Sequence, residues 1–130
     1  MVICLDANAY SNLEKKKNPE LSKCVDEAEK VLVPLIALGE LYAGFECGTK
    51  RAENYASLQR FCDLAGVEIS IPNIATAERY AFLVKQLRKQ GTPIPTNDIW
   101  IAATALETGA RLVTYDSHFD HVPGLIILNP

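Results

Sequence analysis

Four carboxylates stand at positions where a site for chemistry would form. Asp6 directly follows one short apolar run, and Asp116 directly follows another. Asp98 and Glu40 lie among small and apolar neighbours, where an unpaired carboxylate is costly to bury. Four acids in one crevice would repel one another unless a divalent cation compensated them. The placement of these residues therefore predicts a metal site built from oxygen ligands.

The ligand chemistry favours Mg²⁺ or Mn²⁺. Carboxylate oxygens suit these ions, whereas zinc sites are usually built from cysteine and histidine clusters. The four cysteines are far apart in the sequence and form no C-x-x-C pair. A metal held by carboxylates can lower the pKa of a water molecule and neutralise charge on a leaving phosphodiester. The acids alone therefore support a nuclease hypothesis.

Strand and helix patterns alternate along the chain, which predicts an α/β fold with a central parallel sheet of about five strands and helices on both faces. The predicted strands are 2–5, 31–33, 67–71, 112–115 and 125–128. The predicted helices are about 8–16, 19–30, 35–46 and 50–65, one from Asn73 to Gln90, and one from Thr96 or Asn97 to Thr108. In such sheets, sites form at the carboxyl ends of the strands, where Asp6 and Asp116 would lie.

Length and charge narrow the functional class. The 130 residues are enough for one domain, expected to span 1–130. The net charge of −3 is unusual for a nucleic-acid-binding protein, because such proteins usually present a positive face. No apolar run is long enough to cross a membrane, and the opening residues lack the basic stretch of a signal peptide. We therefore expect a cytoplasmic protein with no membrane association.

Four short segments carry a resemblance to a known family. The first two are Leu5-Asp6-Ala7-Asn8 and Leu38-Gly39-Glu40-Leu41-Tyr42-Ala43-Gly44. The third is Pro95-Thr96-Asn97-Asp98-Ile99-Trp100-Ile101-Ala102-Ala103, and the fourth is Thr114-Tyr115-Asp116-Ser117-His118-Phe119. Together, and in this order, they resemble the motifs of PIN-domain ribonucleases. The chain is similar from first residue to last to the VapC toxins of type II toxin–antitoxin systems.

The resemblance implies a PIN-like three-layer fold and a complete active site. Four acids would be both catalytic and metal-binding: Asp6, Glu40, Asp98 and Asp116. Three further residues would lie in or near the group of side chains that surrounds these acids: Asn8, Asn97 and Thr114. It further implies a Mg²⁺- or Mn²⁺-dependent endoribonuclease that cuts tRNA or rRNA and thereby inhibits translation. The implied partners are RNA, a second copy of the chain, and a VapB-type antitoxin that joins a larger assembly.

The mechanism we expect is in-line attack of water on the scissile phosphodiester. Asp6, Asp98 and Asp116 would hold the metal, while Glu40 would hold a second ion or accept the proton of the water. Because water is the nucleophile, the products should carry a 5′-phosphate and a 3′-hydroxyl.

Three alternatives are considered beside this hypothesis. A haloacid-dehalogenase-like phosphatase would need a second acid two residues after Asp6, where the chain has Asn8. A receiver-like module would need an acidic pair near the N-terminus and a lysine after a late strand, and the sequence has neither. A PIN module that only binds RNA would not need its carboxylates.

Several other side chains have both a functional and a structural interpretation. His118 and His121 are expected to be polar residues of a short loop, and Trp100 to pack in the core or an interface. Tyr10 and Tyr42 could stack on bases or pack internally. Gly39 and Gly44 suggest close packing or close approach around their helix. A few basic residues could contact phosphates, but a solvent-exposed helix face is the favoured interpretation of each: Lys15–Lys17, Lys50, Arg51, Arg79, Lys85, Arg88 and Lys89.

Overall fold

The computed structural model describes residues 1–130 and has a five-stranded, fully parallel sheet with strand order β3-β2-β1-β4-β5. The strands are β1 (Val2–Leu5), β2 (Lys30–Pro34), β3 (Val67–Ser70), β4 (Arg111–Val113) and β5 (Ile127–Leu128). The α-helices are α1 (Ala7–Glu14), α2 (Pro19–Glu27), α3 (Leu35–Cys47), α4 (Arg51–Cys62), α5 (Ile74–Gln90) and α6 (Thr96–Thr108). A 3₁₀ helix covers Ser117–His121. The predicted α/β class and parallel sheet are confirmed.

Alternate residues of the central strand β1 contribute to two separate cores. Cys4 belongs to a core cluster that also contains buried residues of α5 and α6. Ile3 and Leu5 belong to a second cluster, which contains buried residues of α1, α2 and α4. All three strand residues are fully buried. This arrangement produces the three layers, with helices on each side of the sheet.

Helix α6 lies deep in the fold, as its apolar sequence predicts. Its residues from Ile101 to Ala105 are at most 1% exposed. Trp100, in the same helix, stacks on Tyr80 of α5 with ring centroids 4.1 Å apart and planes 13° apart. Trp100 is therefore a packing residue between two helices, and the indole face on that side is not free for a base.

Several element boundaries differ from the sequence prediction. Helix α2 ends at Glu27 because Lys30 already begins β2 and pairs with Val2 of β1. Strand β5 is shorter than predicted, since its pairing with β4 begins only at the carbonyl of Ile126, which accepts from the Leu112 amide. The segment expected to be a loop contains the 3₁₀ helix Ser117–His121.

Of the two roles considered for Gly39 and Gly44 of α3, close packing within the chain is not found. A Cβ atom added to Gly39 or Gly44 would meet no other atom within 4 Å. Both residues lie on the exposed side of the helix. Because glycine has no side chain, the helix backbone is exposed to solvent at these two positions, where another molecule could approach closely.

None of the helices combines the length and apolar character that a membrane crossing requires.

Candidate active site

The four predicted acids converge because two neighbouring strands end at the same edge of the sheet. Strands β1 and β4 are adjacent and parallel, with Leu5 opposite Val113. Asp6 follows the first strand and Asp116 lies three residues beyond Val113. Helices α3 and α6 contribute the other two acids. All four line one cavity of about 80 Å³, together with Ala7, Asn8 and Ile101: Asp6, Glu40, Asp98 and Asp116.

Asp6 is the most enclosed of the four and is held from two sides. It is 5% exposed. As the N-cap of α1, its Oδ1 accepts a hydrogen bond of 2.8 Å from the Ala9 amide. Its Oδ2 accepts a hydrogen bond from the buried Thr114 hydroxyl. A cap at this position satisfies an otherwise unpaired amide and fixes the carboxylate at the mouth of the sheet.

Thr114 connects two of the acids. Its hydroxyl donates to Asp6, and the same oxygen accepts a hydrogen bond of 3.0 Å from the Asp116 amide. Asn8 lines the acidic cavity, and Asn97 lies close to Glu40. The three residues expected beside the acids are therefore all found there, with Thr114 making the most direct contact.

The pKa values of Asp6 and Asp98 are raised, first by burial and then by neighbouring acids. Burial raises the pKa of Asp6, and the charges of Asp116 and Asp98 raise it further, although hydrogen bonds from Thr114 and Ala9 oppose the shift. Burial also raises the pKa of Asp98, with Asp116 adding to the effect and His118 opposing it. Close carboxylates in a partly desolvated site disfavour full ionisation, so the arrangement is electrostatically suited to a cation.

Glu40 shares this environment from the opposite wall. Burial raises its pKa first, and the charges of Asp98 and Asp6 raise it as well, while the neighbouring Asn97 side chain lowers it. No lysine or arginine forms an ion pair with any of the four acids; the only base paired with them is His118. The site therefore carries uncompensated negative charge.

His118 is the site residue that the sequence interpretation missed. Its Nδ1 lies 3.0 Å from Oδ2 of Asp98 and 3.2 Å from Oδ1 of Asp116. The side chain of Asp116 caps the 3₁₀ helix by accepting a 2.9 Å hydrogen bond from the His118 amide, and this turn brings the imidazole back over the acids. The available signal was an Asp two residues before a histidine, which favours such a turn.

A polar groove extends from the acidic cavity along α1. It has a volume of about 440 Å³ and shares Asn8 and Asp116 with the cavity; the rest of its lining is Ser11, Asn12, Lys15, Tyr115 and Ser117. A second groove of about 490 Å³ continues past Ser11 and Lys15 to Lys50 and Asn54. Of the basic residues considered from sequence, Lys15 and Lys50 line these two grooves.

The two tyrosines considered for base stacking differ in exposure. Tyr10 is 3% exposed and packs against Phe61, with ring centroids 5.3 Å apart. Tyr42 is 36% exposed, but it stacks on Tyr55 at 4.9 Å. Tyr10 is therefore a core residue, whereas Tyr42 retains an accessible surface.

Comparison with known proteins agrees with this geometry. The family model of the PIN domain matches residues 3–125. Ribonuclease VapC4 of Mycobacterium tuberculosis is 33% identical over 102 residues, which cover 74% of each chain. VapBC2 from Rickettsia felis, solved bound to a DNA fragment from its promoter, matches with a TM-score of 0.88 and 26% identity, covering 99% of this chain and 98% of that one. VapBC-1 from nontypeable Haemophilus influenzae also has a TM-score of 0.88, at 25% identity and the same coverage.

The matched region contains all four acids and nearly all of the sheet. The chain therefore belongs to the PIN-domain family and, within it, to the VapC ribonucleases.

Proposed function

We propose that this ribonuclease is the toxin of a type II toxin–antitoxin pair and is a Mg²⁺- or Mn²⁺-dependent endoribonuclease. Residues 1–130 would act as one domain in the cytoplasm, cutting tRNA or rRNA and so inhibiting translation. The observation that carries the proposal is the convergence of Asp6, Glu40, Asp98 and Asp116 on one cavity with no lysine or arginine to neutralise them.

The donor set fits a hard divalent cation. Carboxylates from four different parts of the chain line the same small cavity, and a cation there would stabilise the charged form of the nearly buried Asp6. When bound, such an ion supplies Lewis-acid activation of water and neutralises charge on the phosphodiester. We assign Asp6, Asp98 and Asp116 to holding it.

The chain's own residues orient the reacting groups. Thr114 and the Ala9 amide each hold one oxygen of Asp6, which fixes the orientation of this carboxylate. The raised pKa of Glu40 makes its carboxylate a better proton acceptor near neutral pH than an ordinary glutamate. We therefore assign Glu40 to accepting the proton of the attacking water, or to holding a second ion. In-line attack gives a 5′-phosphate and a 3′-hydroxyl.

The RNA would approach along the two grooves beside α1. The first groove begins at Asp116 and Asn8 and has Lys15 on its wall, and the second has Lys15 and Lys50. Lysines there can neutralise phosphates on one side of the scissile bond without entering the acidic cavity. Amide and hydroxyl side chains of Asn8, Ser11 and Asn12 supply hydrogen bonds to the RNA backbone or bases.

We propose two protein partners for this chain. VapBC complexes from Rickettsia felis and Haemophilus influenzae match the fold over nearly its full length, and they support a VapB-type antitoxin as a partner of this chain. We also propose a homodimer that forms a larger assembly with the antitoxin. The exposed face of α3 supports it, since Leu35, Gly39, Tyr42 and Ala43 recur at helical spacing on the side of the helix that faces solvent, with Tyr42 also stacked on Tyr55.

The test is cleavage of total cellular RNA by the purified, antitoxin-free chain in Mg²⁺, in Mn²⁺ and in EDTA. We expect discrete fragments that require metal, and mapping their 5′ ends identifies the target. Asp98→Asn should lower the cleavage rate about 100-fold or more, because it removes a metal-binding charge.

Asp120→Asn is the matched control, because Asp120 is an exposed acid of the nearby 3₁₀ helix and lines no part of the cavity. It should cleave like the unmodified chain. Equal cleavage by the Asp98→Asn protein would contradict the assigned site. Failure of the folded, metal-loaded chain to cut any RNA, with RNA binding intact, would instead support a module that only binds RNA.

A further inference from the structure

The imidazole of His118 lies within hydrogen-bond distance of two of the acids. Its Nδ1 is 3.0 Å from Asp98 Oδ2 and 3.2 Å from Asp116 Oδ1. Each of the three residues can offer one ligand atom such that all three atoms lie within 4.8 Å of one another. The ring is therefore part of the same cluster, although its side chain keeps 50% of its surface exposed.

The backbone around His118 is fixed rather than free. The amide of His118 donates to Asp116, whose own amide donates to Thr114. The next residue, Phe119, is 1% exposed and anchors the 3₁₀ helix in the core that contains α5 and α6. Because this short helix is held at both its cap and its centre, the imidazole loses little conformational freedom when a ligand binds.

The spacing of these atoms matches adjacent positions around one ion. Ligand atoms about 2.1 Å from an octahedral ion lie about 3.0 Å apart at neighbouring corners. Nδ1 of His118 has this spacing to one oxygen of each aspartate, and its 3.0 Å contact with Asp98 is a hydrogen bond when no ion is bound. A bound cation would replace the hydrogen bond between Nδ1 and Asp98, and with the ring proton on Nε2 the imidazole would present a lone pair on Nδ1 to that cation.

We infer that His118 is a further ligand of the metal, which makes the site a mixed nitrogen and oxygen site. The inference rests on the proposed metal centre, but it concerns a residue outside the four acids. A nitrogen ligand changes which ions the site selects. Imidazole adds affinity for ions such as Ni²⁺ much more than for Mg²⁺, which prefers oxygen and keeps its waters.

His121 provides a matched control within the same helix. It is also an exposed histidine of the Ser117–His121 segment, but its side chain forms no hydrogen bond or ion pair with the acids. Replacing either histidine by alanine preserves the backbone amides, including the His118 amide that donates to Asp116. The two variants therefore differ in which imidazole is lost: His118→Ala loses the one beside the acids, and His121→Ala loses one that forms no hydrogen bond or ion pair with them.

The experiment loads the full chain with one equivalent of Mn²⁺ and records pulsed electron paramagnetic resonance. We expect modulation from a directly bound ¹⁴N nucleus in the unmodified chain and in His121→Ala, and its loss in His118→Ala. Calorimetric titration with Ni²⁺ should show affinity lowered about 10-fold or more in His118→Ala, with Mg²⁺ affinity changed less than about twofold.

Two failures can be told apart. Bound Mn²⁺ without a nitrogen signal, or equal Ni²⁺ affinity in both variants, would overturn the role of His118 and leave the four-acid site intact. A folded chain that binds no Mn²⁺ at all would overturn the proposed metal centre, and the inference with it.

Discussion

The hydroxyl of Thr114 donates to the carboxylate of Asp6 across two neighbouring parallel strands, and both residues are almost completely buried. Their separation of 108 positions in sequence means that only the pairing of β1 with β4 brings them together. The Thr114 oxygen also accepts from the Asp116 amide. One hydroxyl thus fixes the relative position of two acids from different strands.

Thr114→Val should destabilise the fold and weaken the site together. Valine has nearly the same shape, but it leaves the buried Asp6 oxygen and the Asp116 amide without their partner. The free energy of unfolding should fall by about 1–3 kcal/mol, as measured by urea denaturation. The apparent metal affinity should fall as well, because Asp6 and Asp116 are no longer held in register.

Thr114→Ser is the control, since it retains the hydroxyl and loses only a methyl group. It should restore metal affinity and RNA cleavage to nearly the original level. If valine and serine reduced metal affinity equally, the packing of the methyl group would be the cause, and the positioning role of the hydroxyl would be wrong.

The raised pKa values predict an unusual pH dependence of the metal-free protein. In EDTA, the folded state holds protons on Asp6, Asp98 and Glu40 at pH values where the unfolded chain has already released them. Stability contributed by these groups is therefore present below the ordinary carboxyl pKa of about 4 and is lost as the pH rises through the raised values. Mg²⁺ or Mn²⁺ should restore it at neutral pH.

Asp6→Asn isolates this effect. Asparagine is an equally good N-cap, so α1 should remain intact, but it cannot ionise. The stability of the original chain relative to this variant should fall with rising pH in EDTA, and added metal should stabilise the original chain more. Thermal unfolding across pH measures both, and a relative stability that rose with pH would show that Asp6 is favoured in its charged form without metal.

The sequence predicted most of the site because strand ends and helix starts are local features. Asp6 and Asp116 each follow an apolar strand, and parallel strands leave their carboxyl ends on one edge. Asp98 and Glu40 stand out because their neighbours are small and apolar. These features require no knowledge of long-range contacts beyond the parallel sheet.

The position of His118 could not be predicted from the pattern of apolar residues. It is determined by a 3₁₀ helix of five residues that begins where the Asp116 side chain accepts from the His118 amide. Periodicity carries little information over so short a segment. The sequence also left the role of Gly39 open, because a glycine that allows close packing and one that faces solvent look the same in sequence.

Lysines in the grooves should control RNA affinity rather than the chemical step. Lys15→Gln and Lys50→Gln should each weaken RNA binding several-fold and lower the slope of log affinity against log salt by roughly 0.7–1, as for the loss of one phosphate contact. Binding is measured in an Asp98→Asn background, which removes cleavage.

Lys89→Gln, on an exposed lysine of α5 outside both grooves, should change neither quantity. An equal effect of all three substitutions would indicate nonspecific attraction instead of a defined path.

The exposed face of α3 should carry the contact between two copies of the chain. Leu35 is 43% exposed and Tyr42 is 36% exposed, while Gly39 between them leaves room for a close approach. Leu35 is the first residue of α3, where a glutamate is well tolerated by the helix, so Leu35→Glu should preserve the fold while placing a charge in the contact. Sedimentation equilibrium should give about twice the mass of one chain for the original protein and mainly monomer for this variant.

Leu64→Glu, at a leucine that is 57% exposed in the turn after α4, should remain dimeric. Dimers that persist in Leu35→Glu at the same concentration would place the contact elsewhere on the molecule.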